Sequence, residues 1–426
     1  MLPQGSGELG RVGMNVLQEL SRGTISKRTW RIAVSLAWAA AFVGLAYLCY
    51  KLATDEVGFD FRYIWVAGKL WSEAKSPYGP GFVPTYDALI HALRSISHVW
   101  VYPPYWLPIA ILTASMPFAV AAKLWSALNI GLIAGSAWLF SRTENIPLAF
   151  VLAGLTLVDA SVLVVWYGQT SALILFGAAL LLWSARTNGR AAGILGLVLL
   201  ALKPNVGAFF FAYMLLRRRF GIAAGAAGAV TLLCLPSLVL FGFAEFSAFF
   251  RALAEYGSPH IEANLPPNMT GAVNLLSLVV SSSEARILCM IGMLASTAVL
   301  ASARWTGSEN KRVMGLIVAT LLFVPLHDYD LSLLVLPLLW IASKDRRFLL
   351  PALAVFGMLV RPAWIVSLTG LRNPAAGVFQ TSLLVSLAII ATSICLLYWF
   401  AFIDAHSSDG SKSPCLATVA SDGAQH

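Results

Sequence analysis

Apolar runs recur along this chain from Trp30 to about Phe402, and many are long enough to approach the thickness of a bilayer. A hydrocarbon core of about 30 Å needs roughly 20 apolar residues per helix. Backbone groups in lipid must be paired internally, which leaves helices and closed barrels. Runs of this length and evenness suit helices and not the alternating pattern of barrel strands. Only 12% of residues are charged, against about 25% in a soluble domain. The chain is therefore expected to be an all-α polytopic membrane protein, a bundle of about 10–12 transmembrane helices with long exterior loops.

The expected spans are 30–50, 120–140, 146–165, 169–185, 190–203, 205–216, 220–241, 286–304, 313–327, 331–343, 347–368 and 378–402. Two longer polar regions interrupt them, at about 51–104 and 245–280. A polar, basic segment (1–29) precedes the transmembrane region (30–402), and a Ser/Gly/Ala-rich tail (403–426) follows and reads as disordered. The first apolar run has no cleavage pattern after it and is taken as a retained helix. Lys27-Arg28, Arg142, Arg186, Arg190, Arg217-Arg218-Arg219, Arg304, Lys311-Arg312 and Arg346-Arg347 all fall on one side when the spans alternate. By the positive-inside rule that side is cytoplasmic, as are both termini. The net charge of +9 is thus accounted for by loops beside anionic lipid, not by nucleic acid. Cys49, Cys234, Cys289, Cys395 and Cys415 are scattered and suggest neither a disulfide framework nor a metal site.

Polar residues in such surroundings are the informative ones. In "DEVGFDFRYIWVAGKLW", Asp60 stands among aromatic residues and two positions before Arg62. It reads either as a partner of Arg62 in a loop ion pair or as a carboxylate able to take a proton from a sugar hydroxyl. Further on, "WVYPPYWLP" places Tyr102 before Pro103-Pro104, which favours an extended approach to a short interfacial helix at about 105–118. The dense Trp and Tyr of this region read as an aromatic belt at headgroup level.

Gly168-Gln169 ends a span, where the amide serves either a turn or a polar ligand. Lys203-Pro204 interrupts an apolar run, and a lysine at that depth either snorkels to the surface or meets a partner such as a lipid-carrier phosphate. "PLHDYDLSLL" groups His327, Asp328, Tyr329 and Asp330, a set suited to a divalent cation or to a polar helical hairpin. His260, Glu262, Asn264 and Asn268 in the second polar region read as a solvated loop. No cofactor is required by any motif, although a divalent cation remains an option.

Walker, H-E-x-x-H and Rossmann fingerprints are absent, as is any soluble nucleotide-binding domain. Chemistry, if any, would use substrates delivered in the membrane. The rival class is a lipid or sugar transporter without covalent chemistry; the lack of a visible internal repeat counts against it.

"FDFRYIWVAGKLW…SPY…YPP", "YGQTSALIL…GRAAGILGLVLLALKPNVG…RRR" and "PLHDYDLSLLVLP" together resemble glycosyltransferase family 87 of the GT-C superfamily. The likeness runs in family order from about 59 to 340. It implies a GT-C-type bundle and inverting transfer of a hexose, with mannose the default, from a polyprenyl-phosphate donor to an envelope glycolipid or glycan. It implies Asp60 as the general base and Lys203 and His327 as cavity residues. Arg62, Gln169, Tyr102 and Asp330 complete the candidate donor-phosphate and substrate contacts. The enzyme would then lie in a bacterial-type inner membrane with its site facing the periplasm. Tyr167 stands where the family usually has Asn, and His-Asp-Tyr-Asp replaces a Ser-Trp-type motif; donor sugar and acceptor stay open.

Overall fold

The structure, a computed structural model, describes residues 26–90, 100–256, 265–302, 308–360 and 382–398. The readings made of 1–25, His260, Glu262, Asn264, Arg304, Cys415 and the tail fall outside these residues.

The described residues are helical, with one isolated bridge between Thr270 and Leu326 and no strands. The order begins with α1 (Lys27–Thr54), α2 (Phe61–Ser72), α3 (Phe82–Ile90), α4 (Leu107–Ala114) and α5 (Phe118–Glu144). Next come α6 (Leu148–Leu157), α7 (Asp159–Tyr167), α8 (Ser171–Thr187), α9 (Arg190–Ala201), α10 (Pro204–Leu216), α11 (Phe220–Phe241) and α12 (Phe243–Tyr256). The remainder are α13 (Ala272–Leu276), α14 (Ser282–Ala301), α15 (Glu309–Phe323), α16 (Val335–Lys344), α17 (Leu349–Val360) and α18 (Ser382–Tyr398). Their ends carry the expected local chemistry. Ser26 and Ser308 accept from the backbone N–H three residues on, and Ser281 forms a capping box with Glu284. Asn145 and Asn188 close α5 and α8 in the left-handed region.

The protein is an integral membrane protein. Among the described residues α1, α5, α11 and α14 are long and apolar enough to cross a bilayer, and α6 and α7 are so only when taken together, as a broken span or a re-entrant pair. That pair was expected as one run, 146–165. It turns by 64° at Val158, whose extended backbone (ψ 139°) leaves Asp159 to open a new helix with an acid at its positive end. α8, α9, α10 and α18 are apolar but shorter. α9 and α10 form a hairpin: Lys203-Pro204 is its turn, and Arg190 and Arg218 lie together at its open end.

Basic residues gather at that end of the bundle. Lys344 pairs with Glu144 at 3.1 Å, Asn310 donates to the same carboxylate at 2.9 Å, and Arg217 meets Glu309 at 3.2 Å. Arg186 donates to the Thr143 carbonyl. The opposite end is built from α2, α3, α4 and the breaks between α7 and α8 and between α9 and α10. There the aromatic-belt expectation fails. Trp71, Trp100 and Trp106 are at most 2% exposed and form a packed core with Phe61, Phe82 and Trp125. The cause is close backbone approach of α2 and α4, where Gly68 meets the Ala110 carbonyl with no room for a side chain. Rings beside that contact pack on one another and not on lipid. Asn268, expected in a solvated loop, is 2% exposed.

α8 and α9 approach in the same way, as small residues permit in a bilayer. A Cβ on Gly177 would lie 2.8 Å from the Gly196 carbonyl oxygen, and the converse also holds. Gly177→Val is therefore expected to cost about 1–3 kcal/mol through overpacking. Thermal unfolding in detergent measures this; an unchanged midpoint would show that the two helices separate freely.

Candidate functional site

The site is assembled around a break in the apolar chain. α7 ends at Gly168, in the left-handed region at φ 68°. A Cβ there would sit 2.8 Å from the Cβ of Phe61 and 3.1 Å from the Cα of Gly58. Glycine is thus required by both conformation and space. The freed carbonyls are taken from α5: Trp125 donates to Gly168 O at 2.9 Å, and Asn129 to Gln169 O at 3.0 Å. The segment before α2 pairs with the end of α7, Gly58 N–H donating to Trp166 O and Asp60 N–H to Tyr167 O, both at 2.8 Å.

The next three side chains each serve a different part of the molecule. Gln169 donates its amide to the Asp60 carboxylate. Thr170 faces the Tyr102 hydroxyl and opposes its upward shift. Ser171 donates to Asp330 at 2.6 Å. Gln169 thus belongs to the turn through its backbone and engages Asp60 through its side chain.

Asp60 is half-buried among Phe59, Tyr63, Tyr102 and Tyr167. Loss of hydration pushes its carboxyl up to about 6, against the opposing effects of the Gln169 hydrogen bond and the Arg62 charge. The anticipated Asp60–Arg62 ion pair is not formed. Residues two apart at a helix start diverge, and the Arg62 guanidinium instead lies 4.7 Å from the Phe59 ring and 5.7 Å from that of Phe118. Its nearest carboxylate is Glu56 at 3.9 Å, which is 89% exposed. The Nε of Arg62 is buried with no hydrogen-bond partner.

Lys203 neither snorkels nor stands alone. Its Nζ meets both oxygens of Asp330, at 2.5 and 2.6 Å, and the Asp330 side chain is only 2% exposed. Trp106 and Tyr105 hold the turn by donating to the Leu202 and Ala201 carbonyls at the end of α9. Asp330 also accepts the backbone N–H of His327 at 3.3 Å. The His327 ring lies 5.3 Å from that of Tyr329. Burial pushes the imidazole down to about 4, with Asp330 opposing and Lys203 assisting. An imidazole held this low is neutral at pH 7. The divalent-cation reading of this motif finds no supporting arrangement: among the described residues no three His, Cys, Asp or Glu side chains cluster to hold a metal.

Tyr102 lies at the centre of the group. Its hydroxyl is pushed upward by burial and then by the field of Asp60, and its carbonyl accepts Tyr78 OH at 2.5 Å. Asp60, Arg62, Gln169, Tyr102, Lys203, Asp330 and His327 are therefore brought to one end of the bundle. Four contributors had no role assigned from sequence. Thr170 and Ser171 lie inside the G-Q-T-S run; Asn129 is an amide inside a long apolar helix, itself a sign that a buried partner exists. Tyr256, at the end of α12, brings the second polar region within the electrostatic reach of Tyr63 and Tyr102.

The Lys203–Asp330 pair carries a clear expectation. Lys203→Met leaves a buried carboxylate unmatched and should cost about 3–5 kcal/mol. Lys203→Met with Asp330→Leu should recover most of that. A double-mutant cycle from unfolding midpoints checks it, and additive losses would refute the coupling.

No curated protein and no solved structure matches the chain. The model of glycosyltransferase family 87 matches residues 100–327, over half of the sequence. The match contains Tyr102, Gln169, Lys203 and His327 and does not extend to Asp60, Arg62 or Asp330. The chain belongs to glycosyltransferase family 87.

Proposed function

We propose that this membrane glycosyltransferase moves a hexose, with mannose the default, from a polyprenyl-phosphate donor to an envelope glycolipid or glycan. The observation that carries the reading is Asp60: a carboxylate made more basic by aromatic surroundings and aimed by Gln169, at the end of the bundle opposite the cluster of Arg186, Arg190, Arg217, Arg218 and Lys344. By the positive-inside rule that end faces the exterior of a bacterial-type inner membrane, with the termini in the cytoplasm.

In the proposed step Asp60 takes the proton of an acceptor hydroxyl as that oxygen attacks the anomeric carbon. The bond from that carbon to the phosphate oxygen breaks, and the polyprenyl phosphate leaves with the electron pair. Attack opposite the leaving group inverts the anomeric centre. A phosphate is a stable leaving anion, so the reaction needs charge stabilisation more than a general acid. Arg62 supports that role through the charge of a guanidinium whose nearest carboxylate, Glu56, is 3.9 Å away. Lys203, neutralised by Asp330, supports the site by holding the turn between α9 and α10, with His327 and Tyr102 as neutral lining groups.

Asp60→Asn keeps an acceptor oxygen for Gln169 and should fold. An Asp carboxyl raised in the fold destabilises the protein fully above about 6 and not at all below its unfolded value near 4. The Asn protein should therefore be at least as stable at pH 7 while losing about 10²–10⁴-fold in transfer. Nanodisc-reconstituted protein with a labelled polyprenyl-phosphate hexose measures both; wild-type turnover by the variant would refute the assignment.

The pH profile provides an independent check. Transfer should rise with pH through an acid limb near 6. Gln169→Leu removes a bond that holds the carboxyl down, so the limb should move to higher pH. A limb unmoved by Gln169→Leu would place the titrating group elsewhere.

A further inference from the structure

The basic end of the bundle holds a half-open cavity of about 330 Å³. Its rim carries Arg190, Arg218 and Arg219, and its floor includes the buried side chains of Leu181, Met214 and Val313. None of these arginines lies within 4 Å of a carboxylate among the described residues. Glu309, the acid in the wall, is already engaged by Tyr213 at 2.7 Å and Arg217 at 3.2 Å. Arg190 donates to Gly221 O at 3.2 Å, which ties α9 to α11 across the cavity without neutralising its charge.

The positions of these arginines are electrostatically adverse. Arg190 is the first residue of α9, and Arg219 immediately precedes the 22-residue α11; neither helix start has a side-chain cap. Helix N-termini carry partial positive charge and favour anions, not cations. Two positive helix ends and three guanidinium groups therefore converge on one concavity, and an anion there would satisfy all of them. The apolar floor asks for more than a bare ion. Basic pockets between membrane helices on the cytoplasmic side suit anionic lipid headgroups, and guanidinium forks suit phosphate oxygens.

We infer that this cavity binds a phosphate-bearing anion, with an anionic phospholipid of the adjoining leaflet as the source that also covers the floor. The site is separate from the transfer centre. α8 starts with Ser171 beside Asp330 and reaches this cavity near its other end, about 20 Å away at 1.5 Å per residue.

Native mass spectrometry of the full chain, offered phosphatidylglycerol against phosphatidylcholine, tests this. The wild type should retain phosphatidylglycerol preferentially. Arg190→Gln/Arg218→Gln/Arg219→Gln should lower that affinity by about a hundredfold, from the usual contribution of each basic side chain at an anionic surface. Arg218→Gln/Arg219→Gln preserves the Arg190–Gly221 bond, guards against misfolding, and should lose at least about tenfold. Displacement of the lipid by millimolar inorganic phosphate would identify the phosphate group alone as the ligand; resistance would identify the lipid. Either result supports the site. Equal lipid retention by wild type and both variants, or no preference in the wild type, would overturn it. Transfer activity at the far end should persist in both variants, so loss of lipid binding is separable from the catalytic reading.

Discussion

The site rests on the left-handed turn at Gly168. An apolar bundle cannot leave backbone groups unmatched, and a break between helices exposes several at once. α5 resolves this by sending Trp125 and Asn129 to the carbonyls of Gly168 and Gln169. With the backbone satisfied, the side chains of Gln169, Thr170 and Ser171 are free to point three ways. One break thus sets the register of the segment before α2, the aromatic run around Tyr102, and the Lys203–Asp330 pair. A side chain at Gly168 would strain the turn and push Phe61 away, moving Asp60 with it.

Much of the architecture was legible because hydrocarbon imposes a length and a composition on every span. What composition cannot convey is whether an apolar ring faces lipid or another ring, since both surroundings are equally free of water. Trp71, Trp100 and Trp106 were therefore expected in a belt and are found in a core. The bend at Val158 was also hidden, having no proline or glycine to mark it. Within the site, Asp60, Gln169, Lys203 and Asp330 stood out as polar groups in greasy surroundings. Their partners did not, because Asp60 meets Gln169 across 109 positions and Lys203 meets Asp330 across 127. Local spacing pointed instead to Arg62 for Asp60, and helix geometry prevents that pairing.

Family membership and site geometry bear on different residues. The matched segment, 100–327, holds Gln169 and Lys203, whereas Asp60 and Asp330 lie on either side of it. Each inner residue grips an outer one. The physical contacts thus extend the family's segment into a closed set, one that neither the match nor the spacing of residues contains alone.

Charge balance within that set narrows the division of labour in the proposed reaction. Lys203 and Asp330 neutralise one another at close range, and His327 is uncharged near neutral pH. What remains is Asp60 and Arg62, opposite in sign but separated enough that each keeps capacity for other partners. While Asp60 is ionised, the field of Arg62 is partly offset. Once Asp60 accepts a proton from the acceptor, that offset disappears as negative charge develops on the departing phosphate. In the proposed step Arg62 would then exert its full positive charge when it is needed, in surroundings of low polarity where a fixed charge counts for more than in water. A tight Asp60–Arg62 pair would tie up both groups; in the proposed reaction their separation would let one carboxylate and one guanidinium serve the two ends of a displacement.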